Sequence, residues 1–190
     1  MNSELWTPRN YERGEKIYSI GDVSSKIYRV SSGLVKSSHS NPNGRVFALS
    51  YIAGEMFGLD AFFNDKRDAE TMTLAESKID SCDFNDFVKY MEANPSEVVN
   101  VLVDISLRTR YIYQRILEMS YKDIEEQTLS VINRLSNNGN GVNIRVSDLG
   151  DFMGATREST SRAISSLQER GILSKENGTI YILERELSRV

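Results

Sequence analysis

Arg157, Glu158, Ser161 and Arg162 are the residues of this 190-residue chain whose types and spacing suit a definite chemistry. A guanidinium can donate two parallel hydrogen bonds to the O6 and N7 of guanine, and a carboxylate can accept from the N4 amino group of cytosine, so the set suits base edges in a major groove. Successive residues advance roughly 100° around an α-helix. Arg157, Glu158, Ser161, Arg162 and Ser165 then share an arc of about 140°, while Thr160, Ala163, Ile164 and Leu167 fill an opposing arc of about 100°. The small serines clear room around three long charged side chains. An ordinary amphipathic surface helix satisfies the same arithmetic, so the neighbouring elements must decide.

Those neighbours form a helix-turn-helix pattern over Ile144 to Leu173. Ser147 is expected to cap a short first helix through its hydroxyl, Gly154 to supply the left-handed residue that ends it, and Thr156 to cap the second helix. Gly171 should end that helix. Ile172 to Ser174, Asn177-Gly178 and Thr179 to Leu183 then read as strand, type I′ turn and strand. A helix-turn-helix followed by a hairpin is a winged helix, whose hairpin can reach phosphates. Ser147, Thr156, Ser165 and Lys175 are the expected contacts to the DNA backbone.

A dimer would present two such reading helices, and the chain carries a candidate for making one. From Ser96 the apolar period becomes helical: Val98, Leu102, Ile105, Thr109, Ile112, Ile116 and Met119 alternate spacings of four and three. That is the seam of a self-pairing helix, with Thr109 its weak point. A helix buried against its own domain is the alternative, and Val99, Val103 and Leu107 could cover such a domain. Lys122 to Leu135 reads as a further amphipathic helix with Ile124, Leu129, Ile132 and Leu135 apolar, and Asn137 to Gly141 as a loop.

The first part of the chain reads differently. Gly14, Gly21, Gly33, Gly44 and Gly54 punctuate short runs at Lys16 to Ile20, Lys26 to Val30, Leu34 to His39 and Val46 to Ile52. Regular turn signals between β-branched and aromatic runs predict a β-sandwich or barrel. Asn41-Pro42-Asn43-Gly44 is a turn that should join antiparallel strands. Gly54 to Phe63 reads as a glycine-bearing loop running into a short apolar turn. Further strand signals lie at Glu70 to Ala75 and Lys78 to Asp83, after which Asp83 should cap a helix from Phe84 to about Ala93, ended by Asn94-Pro95.

Composition narrows the function classes. Cys82 is the single cysteine and His39 the single histidine, which excludes an intrachain disulfide, a multi-cysteine iron–sulfur cluster and His-rich metal sites. An enzyme built on a jelly roll, as in cupins, loses its metal set on that count, and no Ser/His/Asp or Cys/His arrangement replaces it. No metal and no cofactor is expected. The net charge is −4, yet residues 142–190 hold seven Lys/Arg and seven Asp/Glu, so the acid excess lies away from the candidate DNA helix. A few placed cations, rather than a broad basic coat, would carry binding. No apolar run approaches the roughly 20 residues that span a bilayer, and the N-terminus shows no signal-peptide pattern; a cytoplasmic protein without a membrane partner is expected.

With these residues placed, the chain resembles the CRP/FNR superfamily of bacterial transcription regulators over residues 11–183. The most specific parts of the resemblance are Asp148-Leu149-Gly150 to Gly154 and Thr156-Arg157-Glu158-Ser159-Thr160-Ser161-Arg162; Gly54-Glu55-Met56-Phe57-Gly58 and the glycine-spaced strands match more loosely. The resemblance implies an α+β chain of two domains: an N-terminal jelly-roll β-barrel, a long dimerisation helix and a C-terminal winged helix. The corresponding ranges are 1–95, 96–120 and 121–190. It further implies a homodimer on double-stranded DNA at a palindromic operator, base reading by Arg157, Glu158 and Arg162 at a TGTGA-like half-site, and RNA polymerase as a partner. Phe57, Gly58, Leu59, Asp60 and Arg108 mark the implied effector pocket, for an effector the sequence does not name. Cyclic AMP fits this pocket poorly. Members that bind it carry a glutamate and an arginine where this chain has Leu59 and Ala69, Arg67 would reach the arginine position only by a two-residue slip, and Asp68 and Glu70 would face the phosphate. His39 could be a haem ligand as in some relatives, or an ordinary surface histidine. The N-terminal helical segment usual in the family is expected to be short or missing. The competing reading is a small-molecule-binding jelly roll that acts through a protein partner.

Overall fold

In the computed structural model, residues 5–44, 46–136 and 141–183 are described. The chain divides into two compact units. One takes residues up to His39 together with Leu49–Tyr113, and the other takes Ser40–Ala48 with the residues from Gln114 onward.

The first unit is a β-sandwich. One four-stranded sheet has the order β1-β8-β3-β6, with β1 Thr7–Tyr11, β8 Ser77–Asp83, β3 Lys26–Ser32 and β6 Met56–Phe57. The other has the order β2-β7-β4-β5, with β2 Lys16–Tyr18, β7 Glu70–Thr73, β4 Leu34–Ser40 and β5 Val46–Ile52. Two four-stranded sheets in this arrangement make the jelly roll expected from the sequence. β4 and β5 are joined by the Asn41-Pro42-Asn43-Gly44 turn, in which Asn41 Oδ1 accepts from Asn43 N at 3.0 Å and Asn41 O from Gly44 N at 2.9 Å. Two details depart from the sequence reading: the first strand begins at Thr7 rather than Lys16, and the stretch read as loop contains β6. The short apolar turn expected after it is a 3-10 turn at Leu59–Phe62.

Helix α1, Phe84–Ala93, starts at its predicted cap: Asp83 accepts from Asn85 N at 2.9 Å. Phe87 from this helix joins Trp6, Ile27, Met56, Cys82 and Val101 in one apolar cluster. Val101 belongs to α2, Pro95–Tyr121, a single helix of 27 residues. The face of α2 that meets the sandwich is therefore Val101 and Arg108, not Val99, Val103 and Leu107, which are 58%, 51% and 59% exposed. The seam Val98, Leu102, Ile105, Ile116 and Met119 is also exposed, with Leu102 at 56% and Ile116 at 58%. Ile112 is half-buried. Thr109 turns its hydroxyl back to Ile105 O at 2.9 Å, so the seam meets its methyl group rather than an unsatisfied donor.

The second unit holds α3 Ile124–Leu135, α4 Val146–Met153, α5 Arg157–Glu169 and a three-stranded sheet of order β10-β11-β9, with β10 Leu173–Glu176, β11 Thr179–Ile182 and β9 Val142–Asn143. Asp123 and Glu126 cap α3 reciprocally. The buried face of α3 includes Gln127, Thr128 and Val131 beside the expected Ile132 and Leu135, while Ile124 and Leu129 are half-buried. Both polar residues bond back to the local backbone: Thr128 Oγ1 donates to Ile124 O at 2.6 Å and Gln127 Nε2 to Lys122 O at 2.9 Å, while Gln127 Oε1 is buried without a hydrogen-bond partner. The Asn137–Asn140 part of the expected loop lies outside the described residues. No helix of the described residues is long and apolar enough to cross a membrane.

Candidate nucleic-acid interface

Helix α5 is held in place by its apolar face and presents the other. Thr160, Ala163, Ile164 and Leu167 are all buried, as the arc arithmetic requires. Arg157, Glu158, Ser161, Arg162 and Ser165 are all exposed. Thr156 caps the helix, its Oγ1 accepting from Ser159 N at 3.1 Å. Arg162 and Glu158, one turn apart, form an ion pair with side chains 73% and 76% exposed. The pair holds a donor fork and an acceptor side by side on the outward face.

The turn before α5 sets its approach to α4. Gly154 takes φ 63°, ψ 25° and ends α4 in the left-handed conformation. Gly150 serves by size: a Cβ there would stand 2.9 Å from Ala155 O and 3.0 Å from Thr160 Oγ1. Ser147 does not cap α4. The chain enters the helix two residues earlier, with Arg145 in the capping position and no side-chain hydrogen bond there, so Ser147 is exposed inside the first turn. A serine in the first turn still faces the end of the helix where backbone N–H groups are free for an anion.

The wing follows the predicted geometry. Asn177 and Gly178 have φ of 49° and 82°, the two positive values of a type I′ turn. Lys175, on β10 opposite Ile180, is exposed. The short strand β9 adds a third member that sequence reasoning missed, since two residues carry no periodicity.

Of the residues expected to form an effector pocket, Phe57, Gly58, Asp60 and Arg108 are linked through the protein's own side chains, and Leu59 is not. Phe57 is 2% exposed, stacks on Tyr28 at 5.0 Å and lies 5.2 Å from Tyr51. Leu59 faces the other cluster, with Trp6 and Phe87. Asp60 is taken by Arg67 at 2.6 Å and by Ser24 Oγ at 3.1 Å. Arg67 also donates to Gly58 O at 2.9 Å and to Lys26 O, and its guanidinium lies 4.5 Å from the Tyr18 ring centroid. Gly58, at φ 76°, lets that cation in: a Cβ would stand 3.0 Å from the Tyr28 ring and 3.1 Å from Arg67 Nη1. Arg108 donates to Ser50 O at 2.6 Å, lies 3.4 Å from Glu55 and stacks 4.0 Å over Tyr51. Burial raises the Tyr28 and Tyr51 hydroxyls, with Arg67 and Arg108 respectively pulling the other way.

Sequence reasoning considered Arg67 only as a misregistered phosphate ligand; its 1% side-chain exposure makes it a core residue instead. Ala69, at the position where the resemblance placed an arginine, is buried at 8% exposure. Asp68 is turned to His39 at 3.7 Å, and Glu70 to Lys16 at 2.8 Å, both on the surface. His39 is thus an exposed strand-end residue. Cys82 is a core thiol, pushed up to about 11 by burial, with Asp86 and Asp83 adding to the shift. Among the described residues no group of His, Cys, Asp and Glu could hold a metal ion.

These features define a two-domain DNA-binding protein with a sensor-type jelly roll ahead of a winged helix-turn-helix. The family models agree: residues 8–94 match the cyclic nucleotide-binding domain and residues 112–187 the Crp-like helix-turn-helix domain. The chain is 27% identical over 187 residues to the nitrogen fixation regulation protein FixK of Rhizobium meliloti, covering 94% of this chain and 84% of that protein. It is 24% identical over 183 residues to the cyclic AMP receptor protein of Thermus thermophilus, covering 94% and 85%. The solved structure of FixK2 from Bradyrhizobium japonicum superposes with a TM-score of 0.81 at 20% identity, covering 96% of this chain and 94% of that one. The chain belongs to the CRP/FNR superfamily and is a DNA-binding transcription regulator of that type.

Proposed function

We propose that this regulator works as a homodimer on a palindromic operator, with Arg157, Glu158, Ser161 and Arg162 reading base edges and Ser147, Thr156, Ser165 and Lys175 contacting the DNA backbone. The observation that carries the reading is the outward face of α5, where an arginine–glutamate pair and small hydroxyls are exposed while the opposite face is buried. Two-fold symmetry would set the two reading helices about 34 Å apart, one turn of DNA. In this reading the functional parts are a sensor-like domain at 1–95, a dimerisation helix at 96–120 and a DNA-binding domain at 121–190. The exposed seam of α2 from Val98 to Met119 supports the pairing, because an apolar stripe left in water favours a second copy. RNA polymerase is the protein partner that the family implies, and DNA as a partner implies the cytoplasm.

The same reading holds that cyclic AMP is not the effector. Ala69 offers no charge to a cyclic phosphate, Arg67 is committed to Asp60 and two carbonyls, and the rings of Phe57, Tyr18, Tyr28 and Tyr51 pack against one another in the interior.

Selection of duplexes from a random library by the full chain tests the proposal. A two-fold symmetric motif should emerge, with binding in the nanomolar range that falls steeply with salt. Arg157→Ala and Arg162→Ala should each relax base preference at one position per half-site. Unchanged affinity and preference in both variants would sink the groove assignment, and enrichment of no sequence would favour a jelly roll acting through a protein partner. Leu102→Asp should weaken self-association by about a hundredfold or more, since it buries an unpaired charge in the seam; sedimentation velocity reads the result.

A further inference from the structure

The last two turns of α2 carry a buried polar cluster that no part of the base-reading scheme uses. Arg115 is 5% exposed. Its guanidinium pairs with Glu118 through one amino group and donates to Phe152 O, near the end of α4, at 3.4 Å through the other. The Glu118 carboxylate is closely surrounded: Oε1 accepts from Lys122 Nζ at 3.0 Å, and Ser130 Oγ on α3 lies 2.8 Å from Oε1 and 3.0 Å from Oε2. Burial alone would raise the Glu118 carboxyl, but the bonds from Lys122, Ser130 and Arg115 outweigh it and hold the group below its ordinary range. The cluster thus ties the end of the long helix to both α3 and α4.

The geometry has two properties that an apolar contact would lack. Phe152 O is among the last carbonyls of α4, which have no partner within their own helix, and a cation there also complements the helix dipole. A guanidinium fork gripping a carboxylate and a carbonyl is directional, so it resists the sliding that packed methyl groups allow. α4 is in turn locked to α5 by the close contact at Gly150. Arg115 thus bears on the helix that Gly150 joins closely to the reading helix.

We propose that Arg115 is a positioning residue: with Glu118 it fixes the pitch of the reading head and so determines the spacing between half-sites that the dimer accepts. This rests on the reading of the chain as a dimer on a palindrome. In such a dimer any change of pitch occurs twice and in opposite directions, and one base pair of spacing is only about 3.4 Å of rise. A loosened clasp therefore broadens the spacing tolerated without altering which bases are read.

The test uses the full chain and the half-site found for it by library selection. Binding is measured to palindromes with the selected spacer, to palindromes one base pair longer or shorter, and to a duplex with one half-site. For Arg115→Gln, discrimination against the wrong spacers should fall about tenfold, with base preference and single-half-site affinity at wild-type levels. Arg115→Lys, which keeps the charge but not the fork, should melt near the wild type and still lose discrimination. Glu118→Gln serves as the second variant if Arg115→Gln does not fold. Wild-type spacer discrimination in a folded variant overturns the proposal, as does a loss of single-half-site affinity equal to the loss on the palindrome, since Arg115 would then only support the fold. A wild-type chain that enriches no sequence overturns the DNA reading itself, which is a separate result.

Discussion

Arg162 and Arg67 make the same chemical pair in opposite surroundings. Arg162 holds Glu158 across one turn of α5 with both side chains about three-quarters exposed, at 73% and 76%. Arg67 meets Asp60 at 2.6 Å with its side chain 1% exposed. An exposed i,i+4 pair is worth about 0.3–0.5 kcal/mol, so Arg162 can exchange its carboxylate for a guanine edge at little cost. Removing one member of a largely buried pair leaves the other charge without its partner, at about 3–5 kcal/mol. An arginine paired with a carboxylate is thus an adaptable surface in one unit and part of the scaffold in the other. Residue type alone cannot tell which.

The largest expected effect falls on the buried side. Arg67→Leu should lower the free energy of unfolding by about 3–5 kcal/mol in urea titration, and adding Asp60→Leu should recover much of it because both charges then leave together. A loss below about 1 kcal/mol in the single variant would erase the contrast. Next, Arg162→Ala should cost about 1–3 kcal/mol of base discrimination on the selected operator, while its unfolding midpoint stays within about 0.5 kcal/mol of wild type. Cyclic AMP should change neither the unfolding midpoint nor the operator affinity. A ligand bound only by the folded state at a hundredfold over its Kd would add about 2.7 kcal/mol, so any rise of that order would show that the sensor interior admits a ligand after all.

The smallest effect concerns pH. Burial would raise the Asp80 carboxyl, but hydrogen bonds from Arg29 and Ser31 and the charges of Arg29 and Lys78 outweigh it, leaving the group below its ordinary value of 3.8. Its contribution to stability is therefore complete above that ordinary value and is lost as pH falls through the lower folded value. Asp80→Asn should flatten this acid limb in a series of unfolding midpoints, and an unchanged limb would assign it to other carboxylates.

The contrast also explains what could be read from the sequence. The exposed unit announces itself locally. The Thr156 cap, the apolar set Thr160, Ala163, Ile164 and Leu167, and the Asn177-Gly178 turn each depend on neighbours within one helix or hairpin. The same holds for α1 behind Asp83 and for β5, whose bounds at Val46 and Ile52 match the expected run. What failed to show depends on distant partners. β1 is an edge strand, mostly exposed, so Thr7–Tyr11 carries no alternating apolar pattern. Arg67 is buried by aromatic rings and carbonyls from β2, β3 and the Gly58 turn, none adjacent in the chain. On α2, spacing alone could not reveal that Val101 rather than Val99 meets the sandwich, because both faces are apolar and only the partner chooses.

The pairing of β1 with β8 sets how the two units come to be folded. Thr7 faces Ser81 and Tyr11 faces Ser77, so the sandwich cannot gain its edge strand until nearly the whole of its chain has been made. Contacts of such long sequence separation fold slowly. The wing closes over a two-residue turn, with Glu176 facing Thr179 and Leu173 facing Ile182, and contacts that local form quickly. The wing, although it follows the sandwich in the chain, is thus closed between near neighbours. The sandwich, which precedes it in the chain, is the unit whose first strand must wait longer for its partner.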